Sequence, residues 1–278
     1  MARINLYDKL GALGVQVNKE YHALIKLFKS EKNINLAYTD HTLLWYIDEY
    51  YFRSLPREFR APHLSVHDMM IALKIKDESN SLDDLLFLSE FLIALLPEEY
   101  ISRNKQVRQQ AYVIFENIVS FLEKLNYELF EMENGRIIIV QKNPATTQAV
   151  EIVEDTPTSL ALIEYNHHAL KGNLDEKRRI LTALGSYIEP ILKSRALQNA
   201  GYKQLESDVG FMLNNFHVRH NNKNGAKAQD YIVTLSDDQL EEWYDKLYNA
   251  ILAVIIINDH ISTQTGIESL KKTYNWKS

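Results

Sequence analysis

The chain has no cysteine, which excludes disulfides, thiolate zinc sites and cysteine nucleophiles and fits a reducing cytosol. Glycine and proline are scarce, 9 and 6 in 278 residues, so long regular elements are expected rather than many turns. The longest uninterrupted apolar run, Ala250 to Ile257, falls far short of the roughly 20 residues that span a membrane. Met1 to Tyr21 scatters Arg3, Asp8, Lys9, Lys19 and Glu20 among its apolar residues and lacks a signal-peptide core. No GxGxxG, GxxxxGKS/T, HExxH or GxSxG pattern occurs. A dinucleotide enzyme, a P-loop NTPase, a zincin and an α/β-hydrolase are therefore disfavoured. No internal repeat is visible.

What is present is ordinary globular material: 46% apolar, 24% charged and 10% aromatic residues. The length suits two domains of average size. A net charge of −6 confines any nucleic-acid surface to a local patch. These features describe a cytoplasmic chain without a membrane partner.

The hydrophobic spacing is mostly helical. Leu6, Leu10, Leu13 and Val17 mark an opening helix, and His41–Phe52 reads as a buried aromatic helix capped by Asp40 or Thr39. Ser65 precedes the apolar run Met69–Ile75, Ser81 opens a helix over Leu85–Leu96 stopped by Pro97, and Gln106–Leu125 is amphipathic. Tyr127–Met132 and Arg136–Gln141 flank Asn134-Gly135, a strong hairpin signal because both residues tolerate positive φ. Ala149–Val153 could add a third strand, and Glu154–Ser159 reads as a linker or exposed loop. Leu160–Leu170 predicts a helix ended at Gly172, and Asn173 caps Leu174–Ile188, with Pro190 kinking or restarting the element. Leu205, Val209, Met212 and Phe216 form another stripe. Ser236 and Gln239 form a capping box for a helix over about Asp237–His260. The fold class is mainly α: two helical domains, 1–156 and 157–278, with a small hairpin or three-stranded sheet near the middle, over about 127–142.

Chemistry-bearing residues concentrate in one place. His63 and His67 sit four apart, but Pro62 and Ser65 put the helix start between them, and a surface pair is preferred to a metal site. His167-His168 and the Asp175–Arg179 run (DEKRR) read as a solvated face. The densest unusual cluster is Asn214-Asn215-Phe216-His217-Val218-Arg219-His220-Asn221-Asn222-Lys223-Asn224-Gly225. If helical, Asn215, Arg219 and Asn222 share a face, Arg219 continues the Leu205–Phe216 stripe, and Lys223 and Lys227 add positive charge. A buried-margin arginine needs a carboxylate, phosphate or helix C-terminus as partner, with Glu206, Asp208 and Asp245 as candidates. The alternative is a helix C-terminus whose cations complement the dipole.

The helix ending Leu213–Asn222 (LNNFHVRHNN), the polar loop after it and the closing helix Leu240–Ile257 resemble the HEPN domains of bacterial abortive-infection and toxin proteins. The likeness covers roughly residues 157–262. It implies a helical domain that cleaves RNA without metal or other cofactor, using an Arg, a polar neighbour and a later His across a dimer interface. Arg219 matches the Arg, and Asn221 or His220 the polar neighbour. Positions 223–225 are Lys, Asn and Gly, so His220 or His217 would shuttle the proton. Arg219, His220 and His217 are thus the expected catalytic residues, and Asn215, Asn221, Asn222, Lys223 and Lys227 the expected RNA contacts. Asn221 or Asn222 would orient the 2′-hydroxyl. The expected function is phage defence or toxin action on RNA. The alternative is a non-catalytic helical module that binds a protein partner. Trp243, Tyr244, Tyr248 and the Ile-rich closing helix lead us to expect a homodimer through the C-terminal helices.

Overall fold

The structure is a computed structural model that describes residues 14–55, 60, 62–96, 104–220, 230–274 and 276. The stripe Leu6–Leu13 and the expected contacts Asn221, Asn222, Lys223 and Lys227 lie outside the described residues. Among the described residues the fold is mainly α with two small antiparallel hairpins. Two compact units divide the chain at Lys142/Asn143, ahead of the Glu154–Ser159 segment.

In the first unit, α1 (Val17–Ile25) runs into a π-helical turn, Lys26–Ser30. A short hairpin follows, β1 (Ile34–Leu36) with β2 (Thr39–His41). Then come α2 (Leu43–Tyr50), α3 (Val66–Ala72), α4 (Leu82–Leu95) and α5 (Lys105–Leu125). The expected helix over His41–Phe52 starts later because Thr39–His41 is taken by β2, and it ends at Tyr50 ahead of a 3₁₀ turn, Phe52–Ser54. Its cap is Thr42, whose hydroxyl accepts the Trp45 N–H. Ser65, Ser81 and Asn104 cap α3, α4 and α5 in the same way, each worth about 1 kcal/mol. Phe28, Ile34, Leu43, Ile47, Leu85, Leu88 and Ile118 meet in one apolar core.

The hairpin β3 (Tyr127–Glu131) and β4 (Ile137–Gln141) pairs Tyr127 with Gln141 and Glu131 with Ile137. Of the turn residues only Gly135 has positive φ (76°), and its N–H donates to the Met132 carbonyl at 2.8 Å. The turn is thus a three-residue loop ending in a left-handed glycine. Asn134 keeps negative φ, and its side-chain oxygen accepts the Arg136 N–H.

The second unit starts with α6 (Pro144–Ile152), which replaces the expected strand Ala149–Val153. Asn143 caps it and Pro144 occupies the first turn, where a missing N–H is harmless. Asp155 caps α7 (Thr156–Glu164), so the expected linker EDTPTS is a helix start. The helix expected over Leu160–Leu170 stops at Glu164, and His168–Leu170 form a separate 3₁₀ turn. Asn173 caps α8 (Leu174–Ser194), which continues through Pro190 instead of restarting there. Two short helices, α9 (Ala196–Asn199) and α11 (Asp230–Val233), bracket α10 (Lys203–Asn215). The Ser236/Gln239 capping box opens α12 (Asp237–Thr273), 37 residues long and so extending past the expected end at His260.

Among the described helices, α12 alone is long and apolar enough to cross a membrane by length and composition. Its Leu240, Tyr244, Leu247, Tyr248, Ile251, Val254 and Ile255 are buried in the second unit's core. Gly185 of α8 allows α10 to approach closely, because a Cβ there would sit 2.7 Å from Leu213 Cδ2.

Candidate functional site

The second unit carries a polar cleft of about 560 Å³. Lys171, Gly172 and Asn173 form its rim, and Leu174, Asp175 and Arg178 enter from the first turns of α8. Asp237, Leu240 and Tyr244 come from the start of α12, and His217 from the turn after α10. The N-termini of α8 and α12 both border this space, and helix N-termini favour anions.

The turn that delivers His217 is built by local rules and then strapped down. Helix α10 ends at Asn215, and His217 adopts left-handed φ (59°), the conformation that commonly ends a helix. Val218 is buried, and its carbonyl accepts from Arg178 Nε and Thr182 Oγ1, both at 3.3 Å. The Arg219 N–H donates back to the Leu213 carbonyl at 3.1 Å. Arg219 Nη2 donates to the Gly185 carbonyl at 2.8 Å and meets Glu189 Oε2 at 3.4 Å.

The expected shared helical face of Asn215, Arg219 and Asn222 is therefore corrected: the helix ends before Arg219. Asn215 returns its side-chain N–H to the Phe211 carbonyl. Arg219 does have the expected carboxylate partner, but it is Glu189 rather than Glu206, Asp208 or Asp245. Of the three expected catalytic residues, His217 lines the cleft, whereas Arg219 and His220 are not among its walls.

Tyr244 is buried against the cleft, and burial pushes its hydroxyl up to about 12, with Arg178 pulling down and Asp175 pushing up. It keeps its proton at neutral pH and can donate a hydrogen bond.

The rim is tied to a network around Lys177, a residue that the sequence reading places on a solvated face. Lys177 is buried, with Nζ 2.6 Å from Asp245 Oδ1 and 2.9 Å from Glu241 Oε1. Its ammonium lies 5.2 Å from the centre of the Tyr165 ring, within cation–π range. The Tyr165 hydroxyl donates to Asp245 Oδ1 at 3.0 Å. Glu241 Oε1 also accepts the Gly172 N–H at 2.8 Å, tying the rim to α12. For the Glu241 carboxyl, burial pushes upward, but the Gly172 N–H, Lys177 and Lys171 together hold it below its ordinary value. Next to this group the Tyr165 and Tyr248 rings stack at 4.1 Å, and Tyr248 Oη is bonded to Thr146, Asn166 and the Leu162 carbonyl.

The remaining expectations resolve simply. His63 Nδ1 faces Asp68 at 3.7 Å, and Asp48 accepts the Val66 N–H at the start of α3. Tyr244 and Tyr248 are buried inside the unit, and Trp243 packs on Phe216 with Lys246 over its ring. These side chains all make contacts within the second unit. No family model, curated protein or solved structure matches the chain.

Proposed function

We propose that the second unit binds RNA through the His217 cleft, as part of a cytoplasmic bacterial phage-defence or toxin-type protein with a HEPN-like domain. The observation that carries this reading is the placement of His217, beside Lys171, Arg178 and two helix N-termini, in a cleft large enough for a nucleotide's phosphate and sugar. Lys171 and Arg178 would neutralise a phosphodiester, as RNA backbone contacts require. Asp175 and Asp237 in the same walls limit the positive charge. That favours one phosphate held locally over a long electrostatic track and agrees with the net charge of −6.

In cleavage, the His217 imidazole would take the proton of a ribose 2′-hydroxyl. The freed oxygen would attack phosphorus, and the bond to the 5′-oxygen would break. A 2′,3′-cyclic phosphate would form, and the leaving oxygen would take a proton from Tyr244 or water. Removing one acid or base costs about 10²–10⁴ in rate, so His217→Ala abolishes turnover to that degree while His220→Ala leaves it intact.

A second reading is a non-catalytic interaction module, favoured by Arg219 being committed to Gly185 and Glu189. Degradation of total RNA in EDTA, with fluorescence anisotropy on a single-stranded RNA across a salt series, separates the two. RNA binding that falls with salt and with Lys171→Ala supports the cleft. Cleavage that vanishes in EDTA overturns the mechanism, and absent RNA binding leaves the interaction module.

A further inference from the structure

The first unit has a cleft of its own, of about 730 Å³, a volume in the range of small-molecule sites. Asn18, Lys19, His22, Ala23 and Lys26 line one wall, from a single face of α1 and the first residue of its π-helical turn. Glu78, Ser79 and Asn80, from the segment between α3 and α4, line the other.

Both walls are fixed by neighbouring side chains. Tyr21, 1% exposed, donates its hydroxyl to the Lys76 carbonyl at 2.8 Å and so ties the second wall to α1. Lys29 meets Asp77 at 2.5 Å, and Lys76 meets Asp84 at 2.9 Å. The Ser79 hydroxyl donates to Asp84 at 2.6 Å. On the helix side, the buried Gln110 of α5 donates to the Leu27 carbonyl inside the π turn. Such turns are uncommon and often stand at functional sites.

These pairings decide the charge of the cleft. Asp77 and Asp84 are each matched by a lysine, whereas Lys19 and His22 have no carboxylate in ion-pair distance among the described residues. Lys26 reaches Glu31 at 3.3 Å with 57% of its side chain exposed, and an exposed pair of this kind contributes little and gives way to a ligand. Two ammonium groups and an imidazole therefore stand in a row of about 10 Å along α1. One phosphate is shorter than that row, and two linked phosphates fill more of it. The Glu78 carboxylate accepts hydrogen bonds and repels phosphate, which suits the paired hydroxyls of a ribose. Asn18 and Asn80 each offer a donor and an acceptor, as a base edge requires.

We propose that this cleft binds a nucleoside diphosphate, its phosphates along Lys19, His22 and Lys26 and its ribose at Glu78. The proposal concerns the first unit alone and does not rest on the RNA reading of the His217 cleft.

Calorimetric titration of the full chain with ADP, GDP, CDP and UDP in turn tests it. At least one binds in the micromolar range, and Lys19→Ala weakens it about tenfold, as the loss of a charge-assisted hydrogen bond does. Glu78→Ala lowers the ratio of nucleotide to pyrophosphate affinity, because only the nucleotide has a ribose to lose. Both substituted side chains are exposed, so the melting temperature stays unchanged, and Lys171→Ala leaves nucleotide binding intact. No binding of any of the four at millimolar concentration overturns the site. Binding that Lys19→Ala leaves unchanged places the nucleotide elsewhere, and pyrophosphate binding as tightly as every nucleotide reduces the cleft to a simple anion site. Either result overturns the proposal.

Discussion

The two units solve the problem of a helical core differently. In the first, Phe28, Ile34, Leu43, Ile47, Leu85, Leu88 and Leu92 pack together, and the buried polar side chains Ser89 and Gln110 bond to backbone carbonyls of Leu85 and Leu27. In the second, a charged lysine with two carboxylates and a tyrosine pair runs beside the apolar core. Apolar packing tolerates changes of identity if volume is kept. A buried ionic group fixes positions instead, and loses heavily when one member is removed. The unit with the polar interior is also the unit with the His217 cleft, and the two share Glu241, which holds the Gly172 rim.

The largest effect expected is in the first unit. Phe28→Ala removes a fully buried ring and should cost about 3–5 kcal/mol. Hydrogen exchange should locate that loss within residues 14–142, and equal deprotection of both units would break the comparison.

In the second unit Lys177→Ala leaves two carboxylates close together without their cation. About 3 kcal/mol is expected from urea denaturation, at the lower edge of the range for broken buried pairs because Asp245 is half exposed. Combining Lys177→Met with Glu241→Gln and Asp245→Asn should restore most of the stability. Failure of that triple variant to recover would mean that the network is more than a solution to its own buried charge.

Gly185→Ala pushes a methyl group against Leu213 and should cost about 1–3 kcal/mol. It also displaces the carbonyl that Arg219 holds, so His217 should move, visible as a changed imidazole resonance. A smaller effect is expected from acid. The folded Glu241 carboxyl lies below its ordinary 4.5, so its contribution is present above that pH and is lost as pH falls through the folded value. Glu241→Gln should flatten the acid limb of the second unit's melting profile, and an unchanged limb would remove Glu241 from the account.

Much of this fold is legible residue by residue. Ser65, Ser81, Asn173 and the Ser236/Gln239 box mark helix starts because capping is a local interaction, and Asn134-Gly135 marks its hairpin for the same reason. The hairpin β1–β2 escapes the sequence because its positive-φ residues are Ala37 and Tyr38, which carry no turn signal. Helix α6 is missed because Val150, Ile152 and Val153 are β-branched and suggest a strand, whereas the helix is started by the Asn143 cap and Pro144 upstream of them. Lys177 reads as surface within DEKRR, since its partners lie 64 and 68 residues downstream and only tertiary packing places them. In the candidate site, His217 belongs to the cluster that the sequence singles out, whereas Arg178 reads as solvated face, Tyr244 as a dimer contact, and Lys171 carries no signal. The cleft is assembled from three separate segments, and nothing in the local spacing joins them.

The most direct test of the central claim, that the second unit holds RNA at the His217 cleft, is photocross-linking of a 4-thiouridine-substituted single-stranded RNA to the full chain, with the adducts located by mass spectrometry. The account predicts adducts in the segments 171–178, 217–220 and 237–244, weakened by Lys171→Ala and by competing salt. Adducts confined to residues 1–142, or none at concentrations that saturate binding, would contradict it.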